Sequence, residues 1–349
     1  MCPFPVRIGY YLASASVGKL VQQSIKCERA GFSSVWMPDH IITTSTEDDV
    51  CPEIWTTLTA IALNTRVIRL GPAVTDFLRR HPATTAQSLA TLDLLSKGRA
   101  NLGLGMGIRM NCEPFEIKWP PTVAAFLEAI EVIRSLLGSS PHQQVRMKGT
   151  RGIHSDAFLQ VKPFHKRRPP IYVGGLSKKT RQIAGALGDG WLPYLSTLST
   201  YKHYVLDIKQ GAQRTNRSSD EIDLCAYLPT CISRKRNKIA KAIEPIRRTL
   251  ATQPFVMKDM GYEPDDFKMT DIRSTGWSDW DNEIRTLSRQ IPLEAVEDVC
   301  AIGTADDCIS KIEEYIKLGA RHIILRTFEE RDTFKKLKDS VLPYFANNV

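Results

Sequence analysis

Residues 67–111 read VIRLGPAVTDFLRRHPATTAQSLATLDLLSKGRANLGLGMGIRMN, and this stretch decides the fold. An apolar run at 67–74 is followed by a helical pattern at 82–95 and a second apolar run at 100–104. Each run ends in small residues: Gly71-Pro72-Ala73-Val74-Thr75-Asp76 in the first, Gly103-Leu104-Gly105-Met106-Gly107 in the second. Two consecutive parallel strands that both open into such loops put a ligand site at the carboxyl edge of a parallel sheet.

Working outward, eight segments read as buried parallel strands: 6–12, 33–37, 67–74, 100–104, 170–173, 190–193, 223–232 and 322–326. They are near-continuous apolar or β-branched runs, as expected of strands covered on both faces. Helical patterns separate most of them. The helix at 16–30 ends at Gly31, the helix at 82–95 starts with Pro82 near N1, and 123–137 is periodic through Phe126, Ile130, Ile133 and Leu137. Another helix spans 178–187, and Thr304 with Asp307 at N3 opens the last long one. Strand–helix alternation repeated eight times predicts an α/β fold, a (β/α)8 TIM barrel forming one domain over 1–349. Extra chain lies after strand 4, at 105–169, and after strand 7, at 233–321. The second insertion contains the poorly periodic, polar and aromatic stretch 259–283, which reads as a lid or binding loop.

Bulk properties exclude several classes. No run of about 18 apolar residues exists, so a membrane span is not expected. The first residues lack the basic and apolar regions of a signal peptide, which predicts a cytoplasmic protein. None of the eight cysteines forms C-x-x-C, so they read as reduced, packed thiols with no metal cluster. A net charge of +9 favours an anionic ligand, a nucleic acid or an acidic surface as partner. The densest basic run, Arg234-Lys235-Arg236-Asn237-Lys238, has no interleaved aromatics and reads as a solvated helix start, so nucleic acid is not expected as a partner. The expected partner is a small molecule.

Asp39-His40 closes the second strand and is a candidate pair for charge stabilisation or proton transfer. Gly103-x-Gly105-x-Gly107 fails the G-x-G-x-x-G spacing of a dinucleotide fold, and reads as close backbone approach to a cofactor. Val173-Gly174-Gly175-Leu176-Ser177-Lys178 runs from strand 5 into a helix and makes a candidate phosphate site. Gly188-Asp189-Gly190-Trp191 reads as a structural turn with a packed indole. No Ser–His–Asp, H-E-x-x-H or paired-Cys zinc pattern is present, so a bound redox cofactor explains the site better than protein groups alone.

At these residues the chain resembles the bacterial luciferase-like superfamily, in the branch that uses the deazaflavin coenzyme F420. The markers are VWMPDH at 35–40, GPAVTD at 71–76 followed by RRHPATTAQ, SKGRANLGLGMG at 96–107, PIYVGG at 170–175, GDGW at 188–191 and GTADDC at 303–308. GPAVTD and GTADDC are similar to methylenetetrahydromethanopterin reductases, whereas GIRMNCEPFEIKW at 107–119 is more like deazaflavin-dependent ketoreductases. The resemblance implies that Asp39 and His40 lie against the deazaflavin. It implies a non-proline cis peptide at Ala73-Val74 under the ring, flanked by Thr75 and Asp76. Met106, Gly107, Ile108 and Asn111 would line the cofactor, and Gly174, Gly175, Leu176 and Ser177 would hold its phosphate. Relatives place an acid where this chain has Ile108, and methanopterin reductases a glutamate where it has Tyr11. Either His40, Tyr11 or Glu113 is therefore the expected proton source, or the reaction differs from that of those relatives. The implied activity is hydride transfer between deazaflavin C5 and the methylene carbon of 5,10-methylenetetrahydromethanopterin. The alternatives are a ketone or secondary alcohol substrate, an FMN-dependent monooxygenase, and a non-catalytic cofactor-binding barrel. Related barrels imply a homodimer.

Overall fold

The computed structural model describes residues 5–13, 15–43, 50–150, 152–165, 168–267, 269, 277–328 and 330–348. The first half of the chain runs β1 (Arg7–Tyr11), α1 (Val17–Ala30), β2 (Ser34–Met37), α2 (Ile54–Asn64), β3 (Arg69–Pro72), β4 (Thr75–Asp76), α3 (Pro82–Leu95), β5 (Leu102–Gly105), α4 (Val123–Gly138), β6 (Val145–Met147), β7 (Ile153–Ala157) and β8 (Ile171–Gly174). The second half runs α5 (Lys178–Leu187), β9 (Gly190–Leu192), α6 (Leu198–Arg214), β10 (Asp223–Ile232), α7 (Arg236–Ala251), α8 (Pro254–Asp259), α9 (Trp277–Ser288), α10 (Leu293–Asp298), β11 (Ala301–Gly303), α11 (Ala305–Lys317), β12 (His322–Thr327), α12 (Glu330–Lys336) and α13 (Leu342–Asn348).

The sheet order is β3-β2-β1-β12-β10-β9-β8-β5-β4, and its ladders are parallel. β3 and β4 are halves of one strand. The first half pairs with β2 and the second with β5. A bridge between Leu70 and Ala100, with Leu70 N–H donating to the Arg99 carbonyl and Asn101 N–H to that of Leu70, closes the ring. The result is an eight-stranded (β/α) barrel. The strand expected at 67–74 is interrupted at Ala73–Val74, whose peptide is cis, and resumes at Thr75.

The helix ends follow local chemistry. Gly31 (φ 94°) closes α1 by donating its N–H to carbonyls of the last turn. Thr304 and Asp307 form a reciprocal capping box on α11. The basic run at 234–238 enters α7 at Arg236. Two helices that the sequence pattern left unmarked, α2 and α6, complete the outer ring. α2 is apolar nearly all round, so it carries no polar stripe to give it away; α6 buries Tyr201, Tyr204, Val205, Ile208 and Ala212.

Insertions follow strands 4 and 7, as expected. The first holds 3-10 turns at Arg109–Asn111 and Glu113–Phe115, then α4 and the antiparallel pair β6–β7. The second holds α7 to α10, then β11 beside β10, then α11. The stretch 259–283, expected as a lid or binding loop, is part of this insertion. It contains a 3-10 turn at Pro264–Phe267 and the start of α9, while 268 and 270–276 lie outside the described residues.

One apolar cluster packs the strands against the helix ring; a second, including Trp36, Tyr172, Leu192, Tyr227 and residues of α7, α8 and α10, caps the barrel interior. Each such Leu, Ile or Val contributes roughly 1.5–3 kcal/mol. Strand amino ends carry a buried polar group. Asp223 accepts from Arg7 (2.5 Å) and Tyr172 (2.7 Å), and His322 Nε2 meets Ser34 Oγ at 2.7 Å. Burial alone would raise the Asp223 carboxyl, but His322, Arg7 and Tyr172 hold it below the usual range. Among the described residues, no helix is long and apolar enough to cross a membrane.

Candidate active site

A cavity of about 750 Å³ opens at the carboxyl ends of the strands. Its lining divides into two arcs. Strands 2 to 5 contribute Asp39, His40, Ala73, Val74, Thr75, Asp76, Met106, Gly107, Ile108 and Asn111, and then Gly174 to Ser177. Strands 6, 7, 8 and 1 contribute Tyr194, Tyr227, Arg326 and Tyr11. Thr249, Gln253 and Val256, from the junction of α7 and α8, also reach the cavity. Among the described residues, the second insertion thus borders the site through residues that precede the stretch expected to act as a lid.

His40 and Asn111 fix each other. Asn111 Oδ1 accepts backbone N–H bonds from Ile41 (2.7 Å) and Ile42 (2.8 Å), which sets the amide orientation. Its Nδ2 therefore faces His40 Nδ1 at 3.0 Å as a donor. His40 Nδ1 must accept, so the imidazole proton sits on Nε2. Burial and the nearby Arg79 charge push the His40 pKa down to about 4, with Asp39 and Asp76 pulling weakly the other way. At neutral pH His40 is thus an uncharged ring that offers one N–H.

Asp39 does not work as His40's proton partner. Its Oδ2 accepts from Thr75 Oγ1 (2.6 Å), Arg79 (2.9 Å) and Arg80 (3.2 Å). Asp76 is equally engaged: Oδ1 accepts from the N–H groups of Leu78 and Arg79, and Oδ2 from Arg79 Nε at 2.5 Å. Arg79, with its side chain only 8% exposed, clamps both carboxylates and so ties strand 2 to strand 3. The two acids shape the site and bring almost no free charge to it.

Gly103, Gly105 and Gly174 also accommodate a neighbouring strand. A Cβ on Gly105 or Gly174 would sit 2.7 Å from a Val74 methyl, and one on Gly103 would sit 2.2 Å from the Pro72 carbonyl oxygen. They clear space for the Ala73–Val74 bulge, and Val74 is then presented to the cavity. Gly107 is different: at φ 77° it turns the chain beside Asp76.

Gly175 (φ 142°) leads into α5, and Ser177 caps that helix by accepting from Thr180 N–H. Trp191 lies buried beneath, its indole donating to the Gly175 carbonyl at 3.0 Å. The turn at 188–191 is structural, as expected. Asp189 there pairs with Arg168 and accepts from Ile171 N–H at 2.7 Å.

Of the three expected proton sources, one leaves the site. Glu113 pairs with Arg109 at 2.5 Å and is not among the cavity-lining residues, because the 3-10 turn directs it along the surface to i−4. Tyr11 does line the cavity, but burial and Tyr227 push its phenol well above the ordinary value, against a smaller opposing effect of Arg326. It is a hydrogen-bond donor and a poor acid.

The sequence profile of the luciferase-like monooxygenases matches residues 1–322. The chain belongs to the luciferase-like monooxygenase family. Among its relatives, this luciferase-like chain is 29% identical over 317 residues to a 5,10-methylenetetrahydromethanopterin reductase of Methanolobus tindarius, covering 90% of this chain and 91% of that one. It is 28% identical over 340 residues to a phthiodiolone/phenolphthiodiolone dimycocerosates ketoreductase of Mycobacterium tuberculosis, covering 90% and 89%. Among solved structures, a coenzyme F420-dependent tetrahydromethanopterin reductase from Methanopyrus kandleri superposes with a TM-score of 0.80 at 25% identity, covering 98% and 99%.

Reading the luciferase-like chain as sequence missed Arg79, Arg80, Tyr194, Tyr227 and Arg326. Arg79 and Arg80 carried a signal, a pair of cations just after a strand that ends in Asp76. Tyr194, Tyr227 and Arg326 carried none, because they sit on or beside strands that read as buried core.

Proposed function

We propose that this protein is an oxidoreductase dependent on coenzyme F420. One observation carries the reading: a neutral His40 N–H, an apolar floor at Val74 and the amide-lined start of α5 all face one cavity. A planar tricycle with an anionic tail needs these features. Val74, Met106 and Ile108 give the ring an apolar seat, and the amides at 174–177 give a phosphate its donors. The chemistry a bound, reduced deazaflavin supplies is hydride donation from C5.

The residues then divide the remaining work. Val74 sets the height of the ring, and the tyrosine arc opposite leaves room for an acceptor on it. His40 Nε2–H steadies negative charge that develops on the acceptor. No acid within the described lining is placed to protonate it, since Glu113 is turned away and Tyr11 holds its proton tightly. That favours 5,10-methylenetetrahydromethanopterin as acceptor: hydride adds to its methylene carbon as the bond from that carbon to N10 breaks, and N10 takes its proton from cavity water, so no placed carboxyl group is needed. A ketone is the second reading, supported by the ketoreductase relative and by two N–H or O–H donors, His40 and Tyr11, on the same cavity.

Titration with F420 and with FMN, followed by absorbance, tests the cofactor. Micromolar F420 binding with FMN at least tenfold weaker is expected, and the reverse order would replace this reading with a flavin monooxygenase. Single-turnover oxidation of bound reduced F420 then separates the substrates. Oxidation by methylenetetrahydromethanopterin but not by acetone or longer ketones supports the first. No oxidation by any of them points to a barrel that only binds.

A further inference from the structure

Arg326 has no assigned task, and its surroundings are unusual. It stands near the carboxyl end of β12 and lines the cavity. Its guanidinium lies over the rings of Phe328 (4.4 Å) and Tyr11 (5.4 Å). Among the described residues its one hydrogen bond goes from NH1 to the Tyr227 hydroxyl, at a long 3.4 Å, and its Nε is buried without a partner. The two carboxylates that line the cavity, Asp39 and Asp76, belong to Arg79 and Arg80. A desolvated cation is ordinarily paired. Here the described residues provide aromatic faces, which hold a cation weakly, and no anion.

The neighbours share this bias toward donors. Tyr11 and Tyr227 meet edge to face at 5.3 Å, and Tyr227 stacks on Tyr194 at 5.6 Å. Tyr227 already receives the Arg326 N–H, so its own proton remains to be given. Burial keeps the phenols of Tyr11 and Tyr227 protonated. Among the described residues this arc therefore offers flat faces and in-plane donors without a matching acceptor.

We propose that Arg326, with the hydroxyls of Tyr11 and Tyr227, is the substrate-recognition site, and that it takes a planar conjugated ring carrying an oxygen acceptor, a lactam carbonyl or a carboxylate. The proposal deepens the functional reading, because it rests on the cofactor occupying the arc of strands 2 to 5. A guanidinium presents parallel N–H groups to such an oxygen, and the tyrosine faces pack the ring.

Calorimetric titration of the full-length protein, with and without F420, tests it with two matched pairs. Pterin is compared with 2,4-diaminopteridine, which has an amine in place of the lactam oxygen; benzoate is compared with benzamide. In one pair the first member is expected to bind at least about tenfold tighter, the loss anticipated when a charge-assisted hydrogen bond is removed. Arg326→Gln should erase that preference and Arg326→Lys should restore part of it. A response in the pterin pair identifies a lactam, and one in the benzoate pair a carboxylate. A preference that survives Arg326→Gln, no preference in either pair, or displacement of F420 by the probe overturns the proposal. Should Arg326→Gln not fold, Tyr11→Phe keeps the ring packing and must weaken the preferred probe about threefold or more; equal affinity overturns the proposal. Failure of F420 to bind, with the Arg326-dependent preference intact, sinks the cofactor reading and leaves this site standing.

Discussion

The two arcs of the cavity rim are built by opposite means. The arc of strands 2 to 5 uses small residues and spends its charges internally: Asp39 and Asp76 are neutralised by Arg79 and Arg80, and Gly103, Gly105 and Gly174 make way for Val74. The arc of strands 6, 7, 8 and 1 uses large aromatic residues and, among the described residues, leaves its cation without a carboxylate. One arc is a finished mould and the other an open set of donors. On the proposed reading the finished mould seats the cofactor, and the open donors meet the substrate.

Removing one arginine from each arc should expose that difference most strongly. Arg79→Met leaves two buried carboxylates, 4% and 5% exposed, without their main cation. Loss of about 3–5 kcal/mol of stability is expected in chemical denaturation. Arg326→Gln orphans no carboxylate, so its unfolding midpoint should stay close to wild type. Equal destabilisation by both changes would break the comparison.

A smaller version of the same contrast uses packing. On Gly103 an added Cβ meets the Pro72 carbonyl oxygen at 2.2 Å and a Leu192 methyl at 2.8 Å. Because the first contact is backbone, it cannot swing away, and Gly103→Ala should cost about 3 kcal/mol and weaken F420 binding. Tyr227→Phe, opposite, removes only the acceptor of a 3.4 Å bond and should cost less than about 1 kcal/mol. Thermal melts of both variants decide the point.

The same asymmetry governs what could be read from the sequence. All eight barrel strands were legible, since doubly covered strands read as apolar runs between helical periods. The first arc was legible too, because it lies in loops where glycine, proline and aspartate stand out after each strand. Even there a second reason stayed hidden: Gly103, Gly105 and Gly174 also accommodate Val74 or the chain beside it, and only the folded chain shows a side chain arriving from another strand. Glu113 looked available as an acid until the 3-10 turn gave it to Arg109. Tyr227 and Arg326 were illegible for a different reason. A tyrosine within DLCAYLPTCI reads as one more core residue, and nothing local marks the strand end that faces the cavity.

For catalysis the arcs should again separate. On the proposed reading His40 supplies the N–H that steadies the acceptor, held in one tautomer by Asn111. His40→Ala should lower kcat about a hundredfold, as loss of a placed donor does. Tyr11→Phe should act mainly on KM, by about tenfold or less, because its hydroxyl belongs to the substrate arc. Steady-state kinetics with each variant sharpens the division, and a larger kcat loss from Tyr11→Phe than from His40→Ala would reverse it.

The two arcs should also respond to opposite ends of the pH scale, with a smaller effect. In the folded protein His40 stays neutral until the pH approaches about 4, whereas the unfolded chain protonates it near 6.5. Between those values the unfolded state holds the extra proton, so stability must fall as the pH drops from 6.5 toward 4. The groups that set this are burial and Arg79 on one side and Asp39 and Asp76 on the other, all on the arc of strands 2 to 5. His322 is buried and lowered too, with the same sign, so the wild-type curve alone mixes two histidines. The difference between wild type and His40→Gln isolates one, and it should amount to about 2 kcal/mol between pH 6.5 and 4 in urea unfolding. Tyr11 and Tyr227 are shifted upward, so in the folded protein they keep their protons past the pH at which an unfolded tyrosine loses its own. Their contribution is complete below about pH 10 and leaves the acidic window unchanged, so Tyr227→Phe should reproduce the wild-type slope there. A flat difference for His40→Gln, or an acid-side change in Tyr227→Phe, would show that the charge balance of the arcs is not the one described by their hydrogen bonds.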